Sequence, residues 1–320
     1  MRPIRSVKAP MIPAGPIGEQ RYVAAGGQRI RVNIRRGSGV PLVLCNGVGA
    51  SLEVLDGLVE WLDPDSTVVR FDVPGTGGSP ASVVPYGFPY LAWVLGRVLS
   101  KLGIGVVDVL GISWGGALAQ QFAFQNPRRC RRLVLVATGT GVLMVPGRPR
   151  ILAKLLTPRR FSDAGYAASI ASELYGGTVR ARGDDVARMF ARQLHAGSKI
   201  GYLHQLLAGS VWTSLFGLRA VRQETLIVAG TDDPIIPVIN AHIMNALLPH
   251  SRVHLHSGGH IDLVYNAAQL APVVGAFLRE PAEAYERQRH RHLRPVTAKL
   301  GERLCGLAGS QPRGNEESAV

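Results

Sequence analysis

Short runs of aliphatic and β-branched residues recur along the chain at 42–45, 67–71, 106–110, 133–136 and 225–229, with a weaker one at 253–256. Near-continuous apolar character over four or five residues is expected of strands buried on both faces of a parallel sheet. At 29–35 the pattern changes. Ile30, Val32 and Ile34 alternate with polar residues, the period-two signature of a half-exposed, antiparallel strand. Between the runs, 53–61, 90–102, 117–125, 239–247 and 267–278 read as helices. Regular alternation of strand and helix predicts an α/β fold, a mostly parallel sheet with helices on both faces.

The alternation breaks over 139–222, which reads mostly helical, with turn signals at Pro158, Gly176-Gly177 and Gly183 and aromatics at Phe161, Tyr166, Tyr175, Tyr202, Trp212 and Phe216. Lying between one strand and the next, it is expected to be a helical cap over the carboxyl edge of the sheet. Its aromatics divide between cap core and substrate contact, and Tyr202, Trp212 and Phe216 are the candidates for the second. The expected organisation is an N-terminal arm (1–20), a core in two pieces (21–138 and 223–279), the cap, and a basic polar tail (280–320) with one short helix near 296–307.

Composition narrows the class. The 320 residues are 46% hydrophobic and 18% charged, and no apolar run approaches the roughly 18 residues of a membrane span. Prolines at 10, 13 and 16 interrupt the segment where a secretory signal would need its apolar core. Three cysteines, Cys45, Cys130 and Cys305, with no paired spacing suit a reducing compartment and give no metal site. The formal charge of +14 is concentrated. Nine basic residues between Arg128 and Arg160 fall in a stretch without Asp or Glu, and Arg29, Arg31, Arg35 and Arg36 form a second group. Such groups can hold a protein on an anionic surface. No nucleic-acid motif accompanies them, so no nucleic-acid partner is expected, and no motif speaks to oligomeric state.

The chemistry is carried by Gly111-Ile112-Ser113-Trp114-Gly115-Gly116, a G-x-S-x-G motif set between an apolar strand and a helix that stops at Asn126-Pro127. That context places Ser113 on a tight strand-to-helix turn with its Oγ exposed, where side chains at 111 and 115 would clash. A serine hydroxyl needs a base. Of nine histidines, His260 lies in a glycine-rich loop beyond the 253–256 strand and in the order Ser, Asp, His. His254 and His256 are expected to be structural, and His195 and His204 fall in the cap. The acid that orients the base lies in Gly230-Thr231-Asp232-Asp233-Pro234, where either aspartate could serve. Two backbone N–H groups should form an oxyanion hole, Trp114 after the nucleophile and Val48 in the Asn46-Gly47-Val48-Gly49 loop, each worth about 3 kcal/mol to the transition state. Asn46 and Gly47, on the same loop, are expected to touch substrate. Gly75-Thr76-Gly77-Gly78-Ser79 lacks the Lys-Ser/Thr ending of a phosphate loop and reads as a turn. Asp72 precedes the serine and is expected to be structural.

These motifs resemble those of the α/β-hydrolases. With the cap segments Met144-Val145-Pro146-Gly147, Pro158-Arg159-Arg160, Tyr175-Gly176-Gly177 and Gly209-Ser210-Val211-Trp212-Thr213-Ser214, the chain over 28–279 is similar to the intracellular medium-chain-length poly(3-hydroxyalkanoate) depolymerases. The resemblance implies an α/β-hydrolase fold with an inserted helical cap, and the third residue after the loop glycine, Asp233, as the acid. It also implies an Asn-Gly start to the oxyanion loop, which Asn46 matches, and no metal or organic cofactor. The implied reaction is hydrolysis of stored polyester through an acyl-enzyme, in the cytoplasm at the granule surface. The alternatives are a small-molecule carboxylesterase or lipase, a carbon–carbon bond hydrolase, and a non-catalytic granule-binding protein.

Overall fold

The computed structural model describes residues 17–181 and 197–281. Most of the expected arm and tail lies outside the described residues, as do the helix expected near 296–307, Cys305, His195 and the turn at Gly183. The chain divides into two compact units, Met1–Gly275 and Ala276–Val320. Of the second, the described part is the last turn of one helix followed by Glu280 and Pro281.

Eight strands form a single sheet in the order β1-β2-β4-β3-β5-β6-β7-β8. They are β1 (Glu19–Ala25), β2 (Gln28–Arg35), β3 (Ser38–Cys45), β4 (Ser66–Phe71), β5 (Val107–Ile112), β6 (Cys130–Val136), β7 (Glu224–Gly230) and β8 (Ser251–His256). Every pair from β4 through β3 to β8 is parallel, and β1 and β2 add antiparallel at one edge. Among the described residues the helices are α1 (Asp56–Trp61), α2 (Phe88–Lys101), α3 (Trp114–Gln125), α4 (Pro149–Ala153), α5 (Ala164–Tyr175), α6 (Lys199–Val211), α7 (Ile239–Leu247), α8 (Asp262–Tyr265) and α9 (Ala267–Arg279). Val43, Val109, Leu133 and Ile227 pack in one apolar cluster with Leu95, Leu118, Phe122 and Met244 of α2, α3 and α7. Their neighbours in sequence, Leu44, Leu110, Val134 and Leu226, point to the other face and are equally buried. The apolar runs are continuous because both faces of the central strands are covered. Among the described residues no helix is long and apolar enough to cross a membrane.

Two sequence expectations need correction at the edge of the sheet. β1 begins at Glu19, two residues inside the stretch read as an arm. β2 is antiparallel to both neighbours as expected, but it is not half-exposed, since Arg31 and Asn33 are buried along with Ile30, Val32 and Ile34. The polar positions are paired instead of solvated. Arg31 bridges Asp72 and Glu53, and Asn33 accepts from Arg70, itself paired with Asp56. Asp72 also accepts the Leu52 and Gly78 N–H groups, which ties the turn after β4 to the sheet.

The segment between β6 and β7 carries α4, α5 and α6, with short 3-10 turns at Pro158–Phe161 and Gly177–Ala181. Asp163 and Ser198 cap α5 and α6 by accepting the N–H groups of Tyr166 and Gly201. The two ends of the segment are pinned together where Val142 N–H donates to Trp212 O (2.8 Å) and Ser214 N–H to Thr140 O (3.0 Å).

The basic groups disperse on folding. Arg150 and Lys154 share Glu173, Arg159 pairs with Asp163, and Arg131 and Arg132 pair with Asp108 and Glu224. Arg160 turns inward and is 4% exposed. The carboxylates come from outside the basic stretch, which is why its sequence suggested an uncompensated patch.

Candidate active site

The carboxyl ends of β3, β5 and β7 and the loop after β8 meet at one place. Ser113 follows β5 directly and is the N-cap of α3, with φ 54° and ψ −119°. Left-handed φ is rare for a residue with a side chain and persists only where surroundings enforce it. The enforcement is close packing. A Cβ on Gly115 would stand 2.2 Å from the Cys45 carbonyl oxygen, and one on Gly111 would stand 2.3 Å from Gly115 O.

Three side chains form a chain of two hydrogen bonds. His260 Nε2 lies 2.9 Å from Ser113 Oγ, and His260 Nδ1 lies 2.8 Å from Asp233 Oδ2. Asp233 is fixed in turn, its Oδ1 accepting the Ile235 and Ile236 N–H groups at 2.9 Å each. His260 is held through its backbone, whose N–H donates to Tyr175 O at 2.8 Å. Asp232 points elsewhere. It accepts from Gly177 N–H and from Arg180, and the Arg180 hydrogen bond holds its carboxyl below the ordinary carboxylate range. A base within hydrogen-bond reach of a hydroxyl, oriented by a buried carboxylate, is an arrangement that can activate the hydroxyl as a nucleophile.

Trp114 opens α3, so the helix itself does not use its N–H. In the Asn46–Gly49 turn, Gly47 N–H donates to Asn46 Oδ1 and Gly49 N–H to Gln205 Oε1. Among the described residues Val48 N–H has no acceptor. Asn46 Nδ2 donates to Ser51 O (2.6 Å), so this side chain braces the loop with both ends of its amide.

Ser113 and His260 open into a cavity that is continuous with solvent, with about 590 Å³ of space not filled by atoms when the open part is included. Its floor is formed by Asn46, Gly47, Val48 and Ile112 from the core, and its walls include Leu155, Arg160, Phe161 and Tyr175 from the inserted segment. Burial pushes the Tyr175 phenol above its ordinary value, and nearby Arg160 pulls it part of the way back, so it remains a neutral hydroxyl. The structure brings Asn46, Gly47 and Val48 to this cavity with Ser113 and His260. It does not bring Tyr202, Trp212 or Phe216 into the wall. Tyr202 lies behind it, bonded to Arg160 and packed on Phe161. Trp212 is buried against Phe88, with its indole N–H on Gln121. Phe216 is 81% exposed on the outer surface. The inserted segment lines the cavity with Leu155, Arg160, Phe161 and Tyr175 instead. His204 is buried edge-on against Tyr86, and His256 accepts Gly258 N–H within its own loop.

Residues 40–267 match the family described as alpha/beta hydrolase fold, and the chain belongs to it. Among characterised relatives it is 43% identical over 280 residues to a poly(3-hydroxyalkanoate) depolymerase of Ectopseudomonas oleovorans, covering 87% of this chain and 97% of that protein. Solved structures agree on the fold. A hydrolase from Pseudomonas aeruginosa superposes with TM-score 0.70 at 23% identity, covering 83% of this chain and all of that one. An enol-lactonase from Burkholderia xenovorans gives 0.70 at 21%, covering 81% and 100%.

Proposed function

We propose that this protein is a serine hydrolase of intracellular medium-chain poly(3-hydroxyalkanoate). The observation that carries the reading is the Ser113–His260–Asp233 chain of hydrogen bonds, opening into an apolar-walled cavity, in a protein 43% identical to a polyester depolymerase. Ser113 Oγ attacks the ester carbonyl while His260 takes its proton, and Asp233 stabilises the imidazolium. The tetrahedral oxyanion rests on the Val48 and Trp114 N–H groups. His260 returns the proton to the leaving alkoxide, and water activated by the same imidazole then releases the acyl group. No step requires a cofactor.

The segment 139–222 acts in this reading as a cap, and Leu155, Phe161 and Tyr175 are the surfaces available to the alkyl side chains of the polymer. The partner is the hydrophobic granule, in the cytoplasm. Docking on it is supported by the outward face of α6, where Ile200, Leu203, Leu207 and Val211 are exposed at helical spacing. The deciding experiment compares release of 3-hydroxy acids from medium-chain polyester granules with hydrolysis of a short soluble ester, alongside phosphonate labelling of Ser113. Labelling with turnover of both substrates supports the reading. Turnover of the soluble ester alone makes the protein a small-molecule carboxylesterase, and absence of labelling removes the serine mechanism.

A further inference from the structure

Among the described residues Arg160 is the one cation in the wall of the cavity that holds Ser113 and His260. Other buried arginines of this protein face carboxylates: Arg31 faces Asp72 and Glu53, Arg70 faces Asp56, and Arg132 faces Glu224. Among the described residues no carboxylate pairs with Arg160. Its neighbours are neutral. One terminal nitrogen donates to Tyr202 Oη at 2.8 Å, the other donates to Val48 O at 3.2 Å, and the Tyr175 hydroxyl shares a further hydrogen bond. The rings of Phe161 and Tyr202 lie 4.3 and 5.5 Å from the guanidinium carbon. Aromatic faces and neutral acceptors ease the burial of a cation but leave its charge uncancelled. A guanidinium has five N–H donors, and these contacts leave some of them for a ligand. A permanently charged fork in a substrate cavity, short of its anion, is suited to a carboxylate.

We infer that Arg160 is a carboxylate subsite that holds the free acid end of a 3-hydroxyalkanoate chain and directs hydrolysis to the terminal ester. The inference rests on the ester-hydrolase reading and names which bond is cut. In such a chain the terminal carboxylate carbon is three bonds from the oxygen of the last ester. Arg160 is anchored on the carbonyl of Val48, the residue whose N–H is the proposed oxyanion donor, so one loop residue registers both the carboxylate and the reacting carbonyl. The Ser113 Oγ–carbon bond forms, the bond from that carbon to the alkoxide oxygen breaks, and His260 gives its proton to the alkoxide. The terminal monomer leaves as a free 3-hydroxy acid. Water then splits the acyl-enzyme, Ser113 recovers its proton through His260, and the shortened chain ends in a new carboxylate. Each turnover regenerates the group that Arg160 recognises, and the released monomer competes for the same subsite.

The test uses the dimer of 3-hydroxyoctanoate as the free acid and as its terminal carboxamide, which keeps the shape and the internal ester but removes the charge. The intact protein should hydrolyse the acid with at least tenfold higher kcat/KM than the amide, the difference lying mainly in KM. Arg160→Gln should collapse that ratio towards one, and Arg160→Lys, which keeps a cation, should retain part of it. Free 3-hydroxyoctanoate should inhibit the intact protein more strongly than 3-hydroxyoctanamide does. Equal hydrolysis of acid and amide by the intact protein overturns the subsite while leaving the ester-hydrolase reading standing. Equal loss on both substrates in Arg160→Gln also overturns it and makes Arg160 a positioning residue for Val48. Failure to cleave either dimer overturns the subsite, while turnover of the short soluble ester in the same preparation shows separately whether the ester-hydrolase reading stands.

Discussion

Ser113 occupies a backbone region that costs on the order of 1–3 kcal/mol for a residue with a side chain, and the neighbouring carbonyl of Cys45 leaves room for that turn only because 115 is glycine. The strain lifts the hydroxyl to the mouth of the cavity, within 2.9 Å of His260 Nε2. Ser113→Ala should lower kcat for ester hydrolysis by about 10⁴-fold or more with the fold intact by circular dichroism, since the members of such a unit act together; wild-type-like turnover would remove the mechanism. The adjacent aspartates give a sharper contrast. Asp233 is bonded to the imidazole, whereas Asp232 holds Gly177 and Arg180. Asp233→Asn should cost on the order of 10⁴ in kcat, and Asp232→Asn about tenfold at most. Asp232→Asn acts on stability instead, by under ~1 kcal/mol because its ion pair is half-exposed. The Asp232 pKa is depressed by the Arg180 hydrogen bond. Its contribution is therefore complete above the unfolded-state value of about 3.9 and disappears as pH falls through the lower folded-state value. Urea unfolding at neutral pH and at successively more acid pH should show the gap between wild type and Asp232→Asn closing with acid. A gap that stays open would place the effect elsewhere.

At the scale of elements, α6 has two jobs on two faces. Inward, Gln205 accepts Gly49 N–H through its side chain and takes the Trp114 indole N–H on its backbone carbonyl, so the helix braces the two loops that carry the proposed oxyanion donors. Outward, Ile200, Leu203, Leu207 and Val211 are 50, 51, 43 and 78% exposed. A stripe of this kind on a water-facing helix costs solubility unless it meets an apolar surface. Leu203→Gln with Leu207→Gln should cut co-sedimentation with polyester granules severalfold more than it cuts turnover of a soluble ester; equal losses would mean a damaged fold. The sequence made some of these elements plain and hid others. The central parallel strands and the serine turn were legible because their signals are local: four or five apolar residues together, or glycines spaced around one serine. β1 was not, because an edge strand of sequence EQRYVAA buries only Val23 and Ala25 and shows no run. The burial of Arg31 and Asn33 was hidden because its cause lies in distant partners: Glu53 in the turn before α1, Arg70 in β4 and Asp72 just after it. Arg159 and Arg160 are chemically identical neighbours. One faces solvent and the other the cavity because Tyr202 and Val48, 42 and 112 residues away, receive the second. The same distance effect misplaced Trp212 and Phe216, whose aromatic character says that they pack but not against what.

For the whole molecule, the net charge of +14 invites the idea that cationic attraction holds the protein on its granule. The structure redistributes that charge. Arg150 and Lys154 of the basic stretch share Glu173, Arg159 pairs with Asp163, and Arg160 lies inside the cavity. The apolar exposure on α6 is joined on the inserted segment by Leu156, 66% exposed, and Phe216, 81% exposed. The two forces respond oppositely to salt. Attraction between surface charges is screened over about 10 Å at 0.1 M ionic strength and about 3 Å at 1 M, whereas apolar contact is not weakened by salt and is strengthened by sulfate. Granule binding should therefore persist when sodium chloride is raised from about 0.05 to 1 M, and sodium sulfate at the same ionic strength should increase it. The measurement is co-sedimentation with washed medium-chain polyester granules across that range, with turnover of a soluble ester recorded in each buffer to show that the protein remains folded. Charge reduction at Arg148, Arg150 and Arg159 should leave the bound fraction within about twofold of wild type, in keeping with the small value of exposed ion pairs. A bound fraction that collapses by 1 M chloride while soluble-ester turnover holds would return the docking role to the basic residues and leave the α6 stripe without one.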